Sequence, residues 1–260
     1  MKPKIIFIHG MFLTAKSWEK WVPYFEGLGY PCEAPPWPLH DREPAAMRAD
    51  PPAGLGTLGL AEVYRHYEEI IRREGGRVLA IGHSVGGLIV QKLAAAGLLR
   101  AGVCICPVAP NRMLSVDWDF LKNSAAITNP LAGDEPYEMT GETFRENFGN
   151  TMSEEESRRA WQEYAVPESR KVLRDILGEE GQIDTDKPHV PLLFLAARED
   201  KIIPDSLVRH NAHAYTDTRS YHESFDFTGR GHFICGQDGW EEVALRAANW
   251  LELHRQGDRA

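Results

Sequence analysis

A chain of 260 residues with 43% apolar and 26% charged side chains can bury a large core and has the balance of a soluble globular protein. A net charge of −9 and a pI near 5.6 argue against nucleic acid or an anionic membrane as the main partner. No apolar run approaches the roughly 20 residues that a membrane helix needs.

An apolar, strand-like run begins at residue 4, with no small-residue cleavage site after it, so no secretory leader is expected and a cytoplasmic location is. The four cysteines, Cys32, Cys104, Cys106 and Cys235, contain no Cys-x-x-Cys pair. Free thiols are expected, with no metal and no cofactor. Cys104 and Cys106, two apart on an expected strand, should share one face.

In chain order, residues 4–8 read as a buried strand ending in His9-Gly10. A loop through Thr14 follows, then a helix capped by Ser17 that runs to about Leu28 and is stopped by Gly29. Residues 30–34 form a second strand, closed by Pro35-Pro36-Trp37-Pro38, which cannot continue a sheet ladder. Residues 41–56, rich in Pro, Ala and Gly, read as an irregular loop. Thr57 is expected to cap a helix to about Glu74, with Leu60, Val63, Tyr67, Ile70 and Ile71 at near-helical spacing.

The next stretch organises the rest. Val78-Leu79-Ala80-Ile81 is an apolar run suited to a strand buried on both faces, and residues 85–96 suit a buried helix ended by Gly97. Between them stands Gly82-x-Ser84-x-Gly86. A strand that becomes a helix within about three residues strains its central residue and leaves room only for small neighbours two positions either side. Ser84 would then stand at the carboxyl edge of the sheet, with Val85 N–H at the positive end of a helix. The same pattern could also serve a phosphate-binding turn or a plain connection.

Residues 101–107 make another strand. From 107 to 188 the strand–helix alternation lapses into polar, acidic, helical sequence with scattered large apolar residues, among them Trp118, Phe144, Phe148 and Trp161. It resumes with a strand at 190–197, a helix at 205–214, a strand at 221–227 and a helix at 239–254. The expected fold is α/β, a doubly wound and mostly parallel sheet. Residues 1–106 and 189–260 form the core, and 107–188 an inserted helical cap.

A nucleophilic serine needs a base, and the base an orienting carboxylate, both at carboxyl ends of strands. Asp200, with Glu199 as fallback, follows one late strand, and His232 in Gly231-His232-Phe233 follows the next. The order Ser…Asp…His is that of elbow-type hydrolases. Met11 and Val85 N–H are the candidate oxyanion donors.

The His9-Gly10-Met11 loop, the Gly82-His83-Ser84-Val85-Gly86-Gly87 elbow, the Asp200-Lys201-Ile202-Ile203-Pro204 turn and Gly231-His232-Phe233 together resemble the α/β-hydrolase superfamily over essentially the whole chain. The opening Ile6-Phe7-Ile8-His9-Gly10, with Trp18 and Trp21, resembles the plant-type methylesterase and hydroxynitrile lyase branch, which also lacks the superfamily's leading antiparallel strands. The resemblance implies Ser84 as nucleophile, His232 as base and Asp200 as its orienter. A small-molecule carboxylic ester or lactone is the leading substrate, and Phe12, Trp37, Trp118, Phe144, Trp161 and Phe233 are the candidate pocket residues. Phe233 stands where lyases of that branch place a lysine, and Val85 where perhydrolases place a methionine, which disfavours both. A serine at the elbow disfavours dehalogenases and epoxide hydrolases that use a carboxylate. A C–C bond hydrolase acting on a β-diketone-like substrate is the enzyme alternative, and a small-molecule receptor on the same fold is the non-enzyme one. The sequence leaves the oligomeric state open.

Overall fold

The computed structural model describes residues 2–113 and 133–255. Six strands form one sheet: β1 (Ile5–Ile8), β2 (Cys32–Glu33), β3 (Val78–His83), β4 (Leu99–Ile105), β5 (Leu192–Ala197) and β6 (His222–Phe227). Their order is β2-β1-β3-β4-β5-β6 and every pairing is parallel. Apolar runs in β1, β3, β4 and β5 feed two cores by alternation. Ile6, Ile8, Ala80, Cys104, Phe194 and Ala196 face one side. Ile5, Phe7, Leu79, Ile81, Val103 and Leu195 face the other.

Helices cover both faces. On the first lie α3 (Leu60–Arg73), α4 (Val85–Ala95) and α8 (Asp205–His213), through residues such as Val63, Leu88 and Val208. On the second lie α1 (Trp21–Gly27) and α9 (Trp240–His254), through Trp21, Phe25, Val243 and Leu251. This is the doubly wound arrangement expected. The strand order reverses between β1 and β3, which opens a crevice above their carboxyl ends. No described helix is long and apolar enough to cross a membrane.

Local departures have local causes. Thr14, not Ser17, is the first cap: its side chain accepts from Lys16 N–H above a short 3₁₀ turn, Ala15–Trp18, and α1 starts only at Trp21. Glu62 reaches back to Gly59 N–H, so α3 starts at Leu60 rather than just after Thr57. The 41–56 stretch contains a helix, α2 (Pro44–Ala49), because its proline falls at the first turn, where no N–H is needed, and Met47 gives it a buried anchor. β4 lies two residues earlier than expected. It ends at Ile105 because Cys106 adopts φ 43°, which leaves the extended region. That turn also corrects the cysteine expectation: Cys104 and Cys106 lie on opposite faces of the sheet, although both are free.

Between β4 and β5 the described residues form three helices: α5 (Gly141–Asn147), α6 (Glu154–Tyr164) and α7 (Arg170–Ile176). Each starts at a Thr or Ser whose side chain accepts a backbone N–H: Thr140, Ser153 and Ser169. Their buried residues Phe144, Phe148, Tyr164, Val172 and Ile176 belong to the same apolar cluster as the first sheet face. Arg48 of α2 reaches the carbonyls of Gln162 (2.7 Å) and Ala165 at the end of α6.

Candidate active site

β3 ends at His83 and α4 begins at Val85, so Ser84 alone makes the turn, with φ 56° and ψ −120°. This left-handed φ is strained for a residue with a side chain. Ser84 N–H donates to Ile105 O (2.9 Å), and Ser84 O accepts from Gly87 N–H (2.9 Å) and Val108 N–H (3.1 Å). A Cβ at Gly82 or at Gly86 would stand 2.2 Å from a backbone oxygen, that of Gly86 or of Ile8 respectively, so neither position admits a side chain.

Asp200 and His232 lie beyond the ends of β5 and β6 and meet there. His232 Nδ1 is 2.7 Å from Asp200 Oδ2, and both side chains are fully buried. The other carboxylate oxygen accepts from Ile202 N–H (2.7 Å) and Ile203 N–H (2.8 Å), which fixes the plane of the group. The acid turn thus points Asp200 inward, while Glu199 is exposed and accepts from Arg230 N–H (3.1 Å). Because Asp200 Oδ2 accepts, Nδ1 carries a proton and Nε2 faces away. Nε2 is buried and has no hydrogen-bond partner, so no bond joins it to Ser84 Oγ.

Further groups brace the histidine. His83, beside the serine, donates from Nε2 to the His232 carbonyl (2.8 Å). Burial first, then the neighbouring His232, holds the His83 imidazole well below its ordinary pKa, so it stays neutral. Phe148 sets its ring edge-on to His232 with centroids 4.9 Å apart, and its carbonyl accepts from Phe233 N–H (3.0 Å). The Cys106 sulfur, one Asp200 oxygen and one His232 nitrogen all lie within 4.8 Å of one another. This is a donor set with the softness of a metal site, but Asp200 and His232 are already bonded to each other and to backbone. Burial, followed by the Asp200 charge, pushes the Cys106 thiol well up.

The loop after β1 completes the crevice. A Cβ on Gly10 would come within 2.7 Å of the Ser84 Cβ. His9 Nδ1 donates to Gly10 O (3.0 Å), its Nε2 accepts from Trp37 N–H (3.0 Å), and the Trp37 ring stacks on it at 4.9 Å. Phe12 adopts φ 65°, and its carbonyl accepts from Val166 N–H (3.0 Å). Neither Met11 N–H nor Val85 N–H is engaged by any described residue.

Of the six expected pocket residues, three come together. Phe144 stacks on Phe148 (5.2 Å) and meets Phe233 edge-on (5.6 Å), while Phe12 meets Phe148 edge-on (6.2 Å). Trp37 is engaged under His9, and Trp161 lies under the Arg48 guanidinium (4.9 Å) and donates to Met139 O. Trp118 lies outside the described residues. The sequence did not place Cys106, His40 or Glu168 at or beside the site. No short-range pattern marks them, and only Phe148 and His83, both near motif residues or among large apolar ones, gave a signal that could have been followed.

A sequence model described as the alpha/beta hydrolase family matches residues 5–247. Solved structures of similar fold include a monoacylglycerol lipase from Paleococcus ferrophilus, with 17% identity, a TM-score of 0.68, and 96% of this chain and 94% of that one covered. An extracellular alpha/beta-hydrolase from a Paenibacillus species gives 19%, 0.69, 95% and 98% for the same four measures. Tomato methylketone synthase I in complex with 2-tridecanone gives 13%, 0.69, 98% and 99%. No curated protein matches. With six parallel strands in this order and a family match over nearly its whole length, the chain belongs to the alpha/beta hydrolase family.

Proposed function

We propose that the protein is a serine hydrolase that cleaves a carboxylic ester or lactone through an acyl-enzyme. The observation that carries this reading is the buried Asp200–His232 pair, whose unpartnered Nε2 lies at the same sheet edge as the strained Ser84. Ser84 Oγ attacks the carbonyl carbon while His232 Nε2 takes its proton. The carbonyl π electrons move to oxygen, which accepts from Met11 and Val85 N–H. Collapse of that intermediate expels the alkoxide, which leaves with the proton from Nε2. Water then attacks the acyl-enzyme by the same route and frees Ser84. Asp200 stays ionised and stabilises the imidazolium. In this reading the Oγ–Nε2 hydrogen bond forms as substrate binds, since such catalytic contacts often tighten only in the bound complex.

The family assignment supports hydrolysis, and the lipase and the Paenibacillus hydrolase show that the fold serves it elsewhere. Residues 107–188 act in this reading as a cap that selects substrate, with Phe12, Phe144 and Phe233 linked to the base through Phe148. The chemistry uses no cofactor and no metal. The test is a serine-directed fluorophosphonate with the adduct mapped by mass spectrometry, beside turnover of p-nitrophenyl acetate. Labelling of Ser84 and loss of turnover in Ser84→Ala are expected; labelling at another residue sinks the reading.

A further inference from the structure

Among the buried ionisable groups that this mechanism does not use, two meet each other. His40 and Glu168 are 1% and 0% exposed, with His40 Nε2 3.1 Å from Glu168 Oε2. His40 Nδ1 lies 2.9 Å from Pro38 O, which can only accept, so Nδ1 carries a proton and Nε2 faces the carboxyl group. Glu168 in turn is met by donors alone: Phe12 N–H at 3.3 Å from Oε2, and Ser169 N–H at 2.7 Å from Oε1. Burial lowers the pKa of His40, but the Glu168 charge and hydrogen bond raise it and the net shift is upward, so the pair is taken as an imidazolium against a carboxylate. Buried pairs of this kind add little net stability, because desolvation offsets their attraction, but they fix geometry.

The geometry fixed here is that of the turn after β1, where three successive peptide groups are tied. Gly10 O is held by His9, Phe12 N–H by Glu168, and Phe12 O by Val166 N–H. No peptide bond among the described residues is cis, so holding Gly10 O on one side directs Met11 N–H to the other. Phe12 keeps a left-handed φ, a conformation that persists only where the surroundings over-determine it.

We propose that Glu168 and His40 are positioning residues whose ion pair holds the Met11 N–H in place, so that losing the pair slows turnover without weakening substrate binding. The proposal rests on Ser84 being the nucleophile. The groups facing His40 are Glu168 from the segment before α7, His9 from the end of β1, and Asp41 on its own loop. Burial lowers the pKa of His40, but the Glu168 charge and hydrogen bond, the Pro38 carbonyl and Asp41 outweigh it and leave the pKa raised. Burial and His40 together keep His9 neutral, so it adds no competing charge. A raised pKa means the clamp is intact at low pH and is released as pH rises through that value.

The experiment measures kcat and KM for p-nitrophenyl acetate, and the rate of fluorophosphonate labelling of Ser84, across pH. It compares the wild type with Glu168→Gln and His40→Gln, and uses Val172→Ala, buried in α7, as a control for lost packing. Whichever way the amide introduced by Glu168→Gln turns, its NH₂ confronts an N–H. That variant should lower kcat and the labelling rate about 10²-fold, with KM within about threefold. The wild type should lose kcat toward alkaline pH, and His40→Gln should be slow and lack that limb. Val172→Ala should melt earlier with kcat retained. If Glu168→Gln does not fold, the pH profiles of the other proteins decide the matter. A wild type with no alkaline decline, or pair variants that melt earlier yet keep wild-type kcat, overturns the proposal. Failure of the nucleophile assignment looks different: the wild type is labelled away from Ser84, or Ser84→Ala still turns over, whatever occupies 40 and 168.

Discussion

Two loops flank the proposed reacting centre, and they are built by opposite means. The Ser84 elbow is held by its own immediate chain. One residue turns β3 into α4, and two glycines keep side chains out of spaces 2.2 Å from backbone oxygens. The turn after β1 is held from afar. Trp37 N–H comes from 28 residues away from His9, and the Glu168 carboxylate from 156 away from Phe12. Local construction makes the elbow rigid wherever the sheet forms. Remote construction makes the turn after β1 depend on the segment between β4 and β5, so the two halves of the proposed catalytic apparatus should fail in different ways.

The sharpest test of the elbow is Ser84→Ala, which removes the proposed nucleophile and alters little else. It should cost about 10⁶-fold in kcat, as loss of a serine nucleophile does in known triad enzymes, with the melting temperature almost unchanged. Next is the carboxylate. Asp200→Asn keeps the shape but not the charge, and should cost up to about 10⁴-fold. Glu199→Gln should be nearly silent, because Glu199 is exposed and turned to Arg230 N–H. Reversed results would mean the acid has been misassigned. Gly86→Ala attacks the local sterics directly, driving a methyl group into the Ile8 carbonyl. A loss of at least about 4 kcal/mol or failure to fold is expected, read by thermal melting. An unperturbed melting curve would show that the elbow relaxes at little cost.

This contrast also explains what is legible in the sequence. The elbow, the acid turn and the histidine loop are readable because each is a short pattern imposed by steric or topological need. The two-faced burial of β1, β3, β4 and β5 is readable because uninterrupted apolar runs suit strands covered on both sides. The helix at Pro44 escapes such a reading because a proline looks like a breaker until its place in the first turn is known. The divergence of Cys104 and Cys106 escapes it because one residue leaving the extended region reverses a face, and nothing in Val-Cys-Ile-Cys marks which residue that will be. The His40–Glu168 pair joins segments 128 residues apart and leaves no periodic trace.

A smaller effect separates the packing of the helices between β4 and β5 from the selectivity proposed for them. Phe144 is fully buried between Phe148 and Phe233, so Phe144→Ala should cost about 3–5 kcal/mol of stability. Since Phe148 also touches His232, the same change should shift preference along a chain-length series of esters. Trp161→Ala should do neither strongly, because that ring is half-buried beneath Arg48. Lower melting temperatures with an unchanged ester profile would make the aromatic group core alone and leave selectivity to other residues.

The smallest expected effect concerns Cys106, the one thiol beside the Asp200–His232 pair among the described residues. A thiol so close to the proposed catalytic histidine invites a nucleophilic role, and its environment argues against one. Burial and the Asp200 charge both favour the protonated form, the reverse of the electropositive surroundings that activate cysteines. A protonated thiol can donate weakly to the carboxylate, and a hydroxyl can do the same. Cys106→Ser should therefore change kcat by no more than about fivefold, the worth of roughly 1 kcal/mol in a single hydrogen bond. Iodoacetamide should leave Cys106 unmodified in the folded protein, as peptide mapping would show. Rapid alkylation with loss of turnover would mean that the thiolate forms in the native state. The electrostatics of the pair would then have to be redrawn with a second anion beside Asp200.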